Sequence, residues 1–150
     1  MDFRRIGLGM KKGINNQYDI ARKFTLKGFC ECKGICIQMK ETVADFSHCH
    51  CSQCRRIHGS AFVTFAGLPK SDFRIASGRE LLKCYESSRA YRRFFCNVCG
   101  SKLFLEVLGE PDQIYVAMGL FDTKPQNLPE PYHIYAVSYT HLTLPTKRIV

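Results

Sequence analysis

Seven of the chain's nine cysteines fall into three tight clusters, and this spacing limits the possible folds more than any other feature. Cys30 and Cys32 form C-x-C. Cys49, Cys51 and Cys54 form C-H-C-x-x-C. Cys96 and Cys99 form C-x-x-C followed by Gly100. Pairs this close place both sulfurs on one side of a tight turn, which does not suit a disulfide framework. It suits a tetrahedral metal with Zn–S bonds of about 2.3 Å. Four ligands close a structural zinc site, and three leave a position open for a ligand or substrate. Seven thiolates divide into four plus three, so one closed site and one open site are expected.

At 150 residues the chain is long enough for one domain with a true core and short for two. Phe, Tyr, Val, Ile and Thr recur in short runs, which points to strands rather than helices. No stretch approaches the roughly 20 apolar residues of a membrane span. Residues 1–13 lack the apolar region of a secretory signal. Free metal-ligating cysteines fit a reducing compartment, so the cytoplasm is the expected location. The net charge of +9 is unevenly spread. Arg4, Arg5, Lys11, Lys12, Arg22, Lys23 and Lys27 face only Asp2 and Asp19 in the first 27 residues. Lys147 and Arg148 add to the excess at the other end. The segment between is nearly neutral, and two thiolate-bound zinc ions would make it slightly negative. A nucleic-acid reader carries its basic patch on the folded domain, so nucleic acid is not an expected partner, and neither is a membrane.

Residues 1–22 show no clean periodicity and are expected to form a loose extension. Residues 23–136 carry the pattern of a mainly β domain. Strands are expected at 24–29, 35–39, 43–48, 61–66, 73–76, 81–85, 91–95, 102–107, 114–118 and 132–136. Gly67-Leu68-Pro69 reads as a break between two of them. Cys51 to Ile57 reads as a short helical turn ended by Gly59. Val137 to Thr146 resembles the conceptual translation of a transposon-type sequencing adapter. Residues 137–150 are therefore expected to be adapter-derived, and the domain before them to be truncated at its C-terminus.

The closed site needs two thiolates besides Cys96 and Cys99, and Cys30 and Cys32 are the candidates. Gly100 permits the positive φ that such a knuckle uses. The middle cluster, Cys49, Cys51 and Cys54, can reach one metal and leave a fourth position. His48, His50 and His58 lie close in sequence. In an extended segment His48 and His50 point opposite to Cys49 and Cys51, so His58 is the better fourth ligand if the site is closed. If it is open, a bound exogenous thiol is deprotonated at neutral pH. Arg55 and Arg56 could then attract a carboxylate-bearing thiol such as glutathione. Cys36 and Cys84 have no partner pattern and read as small core residues.

Several segments occur together in order: Gly28-Phe-Cys-Glu-Cys32, Cys49-His-Cys-Ser-Gln-Cys-Arg-Arg56, Gly59-Ser60-Ala-Phe62, Phe95-Cys-Asn-Val-Cys-Gly-Ser101, Gly119-Leu-Phe-Asp122 and Pro131-Tyr-His-Ile134. This set resembles the glutathione-dependent formaldehyde-activating (GFA) family, whose domain is shared with centromere protein V. The resemblance covers about Lys27 to Ala136. It implies a β-tent type fold with two zinc sites. It assigns Cys30, Cys32, Cys96 and Cys99 to a structural zinc, and Cys49, Cys51 and Cys54 to a catalytic one. Lys33 stands where the family usually has Gly after the C-x-C.

The expected function is a zinc-dependent carbon–sulfur lyase acting on glutathione and formaldehyde to give S-hydroxymethylglutathione, and the reverse. Arg55, Arg56 and His58 are the candidate substrate contacts, and a small thiol and an aldehyde the expected partners. The alternative is a non-enzymatic zinc module that binds protein or nucleic acid. Loosely tied termini are cut first, so limited proteolysis followed by mass spectrometry should trim both ends and leave a core from about Lys23 to Ala136.

Overall fold

The structure is a computed structural model, and it describes residues 24–123 and 125–139. The expected loose extension at 1–22 and residues 140–150 of the expected tail lie outside the described residues. Among the described residues the chain is mainly β, with ten strands and one α-helix. Strands β1 (Leu26–Phe29), β2 (Cys36–Met39) and β5 (Phe73–Ser77) form a three-stranded antiparallel sheet in the order β1-β2-β5. The second sheet has seven strands in the order β10-β3-β4-β9-β8-β7-β6. These are β3 (Asp45–Cys49), β4 (Val63–Pro69), β6 (Leu82–Glu86), β7 (Tyr91–Cys96), β8 (Lys102–Val107), β9 (Gln113–Ala117) and β10 (Tyr132–Ile134). Its pairs are antiparallel except at one edge, where β10 runs parallel to β3.

Alternation of side chains along each strand gives the large sheet two faces. One face presents Phe46, Ala66, Leu68, Phe94, Phe104, Ile114 and Val116 to the small sheet, where Leu26, Ile37 and Met39 meet them. Ile37, Met39, Leu68 and Val116 are fully buried. Burying each such side chain stabilises the fold by about 1.5–3 kcal/mol. The other face presents Asp45, Ser47 and Cys49 from β3, Phe65 from β4 and Tyr115 and Ala117 from β9, and it forms a second, smaller cluster. The helix α1 (Ser52–His58) lies at one end of that second face and places Cys54 in its cluster.

The helix begins and ends for legible reasons. Cys51 is its N-cap, in extended conformation, and its sulfur accepts the Cys54 N–H at 3.3 Å. Gly59 ends it in the left-handed region at φ 59°, with its N–H on the Arg55 carbonyl. One expected break is absent. Gly67 and Leu68 lie inside β4, which runs to Pro69. A Cβ at Gly67 would stand 2.7 Å from Asp45 Cβ and 3.0 Å from Tyr115 Cε1. Glycine is there because β3 and β9 bring these side chains together across it, not because the chain turns. Cys84, expected in the core, is exposed on the edge strand β6, and Cys36 is half-buried on β2.

The two sheets are joined at one end by cysteines. Cys30 follows β1 of the small sheet, and Cys96 ends β7 of the large one. The sulfurs of Cys30, Cys32, Cys96 and Cys99 lie within 4.8 Å of one another. Cys30 and Cys32 are 3.5 Å apart, and Cys32 and Cys96 3.8 Å. A tetrahedron with 2.3 Å bonds has S···S edges of about 3.8 Å, so this donor set fits a zinc ion. The turns are built around the sulfurs. Cys30 Sγ accepts the Ile35 N–H, and Gly100, at φ 76°, donates its N–H to the Cys96 carbonyl. Lys33 sits at φ 59°, in the left-handed region that glycine occupies more easily. The Ser101 hydroxyl on Cys99 Sγ, together with the backbone at Cys32, pulls the Cys99 thiol down to about 5.

Structural zinc contributes about 10–16 kcal/mol to folding in small domains, several times any single core side chain above. Cys96→Ser is therefore expected to lose most of the fold, read by circular dichroism and zinc content. A Cys96→Ser protein that stays fully folded and still binds zinc at this cluster would contradict the role given to it.

Candidate active site

The second group of sulfurs is separate from the first. Cys49, Cys51 and Cys54 lie within 4.8 Å of one another. Cys49 comes from the last position of β3, Cys51 from the helix cap, and Cys54 from the first turn of α1. The cap geometry explains the convergence. One residue of extended chain and one turn of helix fold three sulfurs toward one point. Among the described residues no histidine or carboxylate joins either sulfur group.

The three sulfurs line a cavity of about 350 Å³, near the lower end of the range for small-molecule sites. Its floor is the second face of the large sheet. Cys49 and Phe65 lie toward the helix end, with Leu105 and Val107 of β8 beside them. Tyr91, Tyr115, Tyr132 and Tyr135 add four phenol rings. Three charged residues take part: Arg93, Asp45 and Glu110.

Arg93 is the residue that sequence reasoning missed. It sits on β7, directly across from Leu105 of β8, and is only 6% exposed. Both terminal guanidinium nitrogens donate to Cys54 Sγ at 3.6 Å. One also donates to Gln53 Oε1 at 3.1 Å, and Nε donates to Ser87 Oγ at 2.9 Å. Gln53 is held in turn by its own donation to the Ser87 carbonyl. A buried cation needs its donors taken up, and here the Cys54 sulfur, Gln53 and Ser87 accept them. The signal available in sequence was weak, since Arg92-Arg93 reads as a pair of surface charges on an edge hairpin. Strand parity separates them: Arg92 pairs with Glu86 at 3.3 Å outside, and Arg93 points in.

The thiols are strongly coupled. The Cys54 thiol hydrogen-bonds to Cys49, which lowers the Cys49 pKa despite burial. The same bond, with burial, pushes Cys54 up against the pull of Arg93. Cys49 is thus the sulfur whose ionisation the group favours, and Arg93 opposes the upward shift of Cys54 without cancelling it.

Arg55, Arg56 and His58, expected beside this cluster, do not line the cavity. The helix turns about 100° per residue, so Arg55 and Arg56 rotate away from Cys54. They border a shallow depression on the outer side of α1. His58 is one turn beyond Cys54 and packs edge-on against Phe65, with ring centroids 5.7 Å apart. Burial and the nearby Arg93 charge hold it down at about 4, so it is neutral at physiological pH. His48 and His50 point to the side opposite the cysteines, as alternation requires, and pack at tilted angles against His133. His50 Nε2 and His133 Nδ1 are 2.7 Å apart.

With this geometry in place, the comparisons with known proteins agree. The family model described as "Glutathione-dependent formaldehyde-activating enzyme" matches residues 25–138. The chain belongs to this family. Two proteins whose names carry the same description, from Aspergillus flavus and Aspergillus oryzae, are each 28% identical over 78 residues. Those matches cover 51% of this chain and 41% of each relative, so the match spans about two-fifths of their length. An uncharacterized lyase of Schizosaccharomyces pombe is 30% identical over 95 residues, 63% of this chain and 67% of that protein. The crystal structure of a Rhodobacter sphaeroides protein is similar with a TM-score of 0.59 at 28% identity, covering 73% of this chain and all of that one. No helix among the described residues is long and apolar enough to cross a membrane.

Groups that hold metal ligands in place affect metal affinity about 10–100-fold when removed. Arg93→Leu is expected to weaken zinc binding at the Cys49, Cys51 and Cys54 group by about that factor. Zinc binding at the other group should be unaffected. Competition against a chromophoric chelator, counting zinc released per chain, reads both sites in one titration. Arg93→Lys should recover part of the loss.

Proposed function

We propose that this GFA-family chain is a zinc-dependent carbon–sulfur lyase. It joins glutathione and formaldehyde into S-hydroxymethylglutathione and runs the reverse cleavage. One observation carries the reading: three converging sulfurs, with no fourth protein ligand among the described residues, open into a cavity beside a buried arginine. Cys49, Cys51 and Cys54 would hold a zinc ion there, and Cys30, Cys32, Cys96 and Cys99 a second, structural one. All seven donors are soft thiolates of the kind that select zinc. The bound ion supplies Lewis acidity and makes a coordinated thiol ionise at neutral pH.

The chain's own residues do the rest. Arg93 fixes the Cys54 sulfur and offsets the negative charge of three thiolates. Phe65, Leu105 and Val107 give the cavity an apolar wall that keeps water from the reacting atoms. Burial, with Tyr135 and Glu110 nearby, raises the pKa of the Tyr91 phenol further above neutrality. It is a proton donor within the same cavity. In the forward reaction the substrate sulfur forms a C–S bond to the carbonyl carbon. The carbonyl electron pair moves to oxygen, and oxygen ends with the proton that the thiol gave up. Holding both reactants together removes the entropy cost of their encounter. This addition also proceeds without catalysis, so binding rather than rate is the sharper test.

A thiol that binds as thiolate must release its proton. Glutathione binding to the zinc-loaded protein should therefore show a heat that varies with the ionisation enthalpy of the buffer, by close to one proton per site. Cys51→Ser should lower zinc from two to one per chain and abolish this binding while the fold persists. Absence of glutathione binding by the fully zinc-loaded chain would favour a non-enzymatic zinc module instead.

A further inference from the structure

We propose that the mouth of the cavity beside Cys49, Cys51 and Cys54 is an ammonium-binding subsite, and that the substrate thiol carries a free amino group remote from its sulfur. The inference rests on the lyase reading for its thiol and names the part of the molecule that the protein recognises.

The charged residues of the cavity lead to it. Arg93 is committed, since all three of its guanidinium nitrogens already donate to Cys54, Gln53 or Ser87. The other two charges lining the cavity are carboxylates, Asp45 and Glu110. Each is positioned by a tyrosine. Tyr132 donates its hydroxyl to Asp45 Oδ2 at 2.8 Å, and Tyr115 donates to Glu110 Oε2. Among the described residues, Asp45 Oδ1 is shut off from solvent and has no hydrogen-bond partner.

The backbone is arranged to make this group. Asp45 of β3, Gly67 of β4 and Tyr115 of β9 are register partners in one row across three strands. A side chain on Gly67 would collide with both neighbours, so glycine allows the carboxylate and the ring to close over β4. The two pairs also act on one another through space: Tyr115 and Tyr132 are both held protonated in part by Asp45 and Glu110. Phenol rings and carboxylates together are the chemistry that recognises alkylammonium groups. The ring faces attract the cation, and the carboxylates accept its N–H donors. A ligand carboxylate would meet two like charges here. Glutathione carries one such amine, on its γ-glutamyl residue, and this mouth takes it with the carboxylate on the same carbon turned away from Asp45 and Glu110.

Two comparisons on the full zinc-loaded chain test this. The first measures, by calorimetry, glutathione against its deamino analogue, glutaryl-cysteinyl-glycine, which differs by the missing ammonium. The analogue should bind about 10- to 100-fold more weakly, the worth of a charge-assisted hydrogen bond. The ratio should fall toward one in Asp45→Asn/Glu110→Gln, with folding checked by circular dichroism. The second uses n-butylammonium and n-butanol as probes without a thiol, read by the NMR signals of the cavity tyrosine rings. The ammonium should shift Tyr115 and Tyr132, and the alcohol should not. Equal binding of the two peptides, or equal shifts from the two probes, overturns the subsite and leaves the lyase reading standing. No binding of either peptide with a clear ammonium shift sinks the lyase reading and leaves the subsite.

Discussion

The convergence of Cys30, Cys32, Cys96 and Cys99 is the constraint on which the rest of the molecule depends. Cys30 follows the first strand of the small sheet, and Cys96 ends a strand of the large one. Both are almost fully buried. Each sheet alone has one apolar face that must be covered, and the four sulfurs fix how the two faces meet. Their pairing spans more than 60 residues of sequence, so the closure entropy of a long loop is overcome at one point. A bound metal repays that far better than a single apolar contact does, because its bonds are strong and directional.

Once the sheets are fixed, strand alternation divides the large one into two surfaces with different tasks. One surface is apolar and closes the core. The other carries polar and aromatic residues into a cavity, and the helix cap adds sulfurs at its end. Arg93 shows how far the division goes. Its neighbour Arg92 is solvated, yet Arg93 is buried and takes its partners from the helix and from the turn before β7. The residue ties the sulfur group to the middle of the sheet, so the candidate site is held by regular structure rather than by a loop.

The same alternation explains the histidines. His48, His50 and His133 lie back to back with the cysteines, on the opposite side of β3 and β10. Their nearness in sequence to the sulfurs follows from the strand carrying two sets of residues, not from a shared role. His58 shows the helical counterpart. It lies on nearly the same side of α1 as Cys54, but one turn further along, where it meets Phe65 instead of the cavity.

The cysteine spacing and the short apolar runs determined much by themselves. They gave the grouping of sulfurs into four and three, the mainly β class, nearly all strand positions and the short helix at Cys51. These are local properties, set by turn geometry and by a period of two residues. Where sequence reasoning failed, the deciding contact was distant. Gly67 reads as a turn glycine, and only the approach of Asp45 and Tyr115 from other strands shows why a side chain is excluded there. Arg55 and Arg56 are nearest to the cysteines in sequence, yet helix rotation sends them outward. Arg93 lies 39 residues beyond Cys54 and reaches its sulfur through the order of the sheet. Charge and type are written in the residue, but which charge faces the sulfurs depends on strand order and parity, and only the tertiary structure decides those.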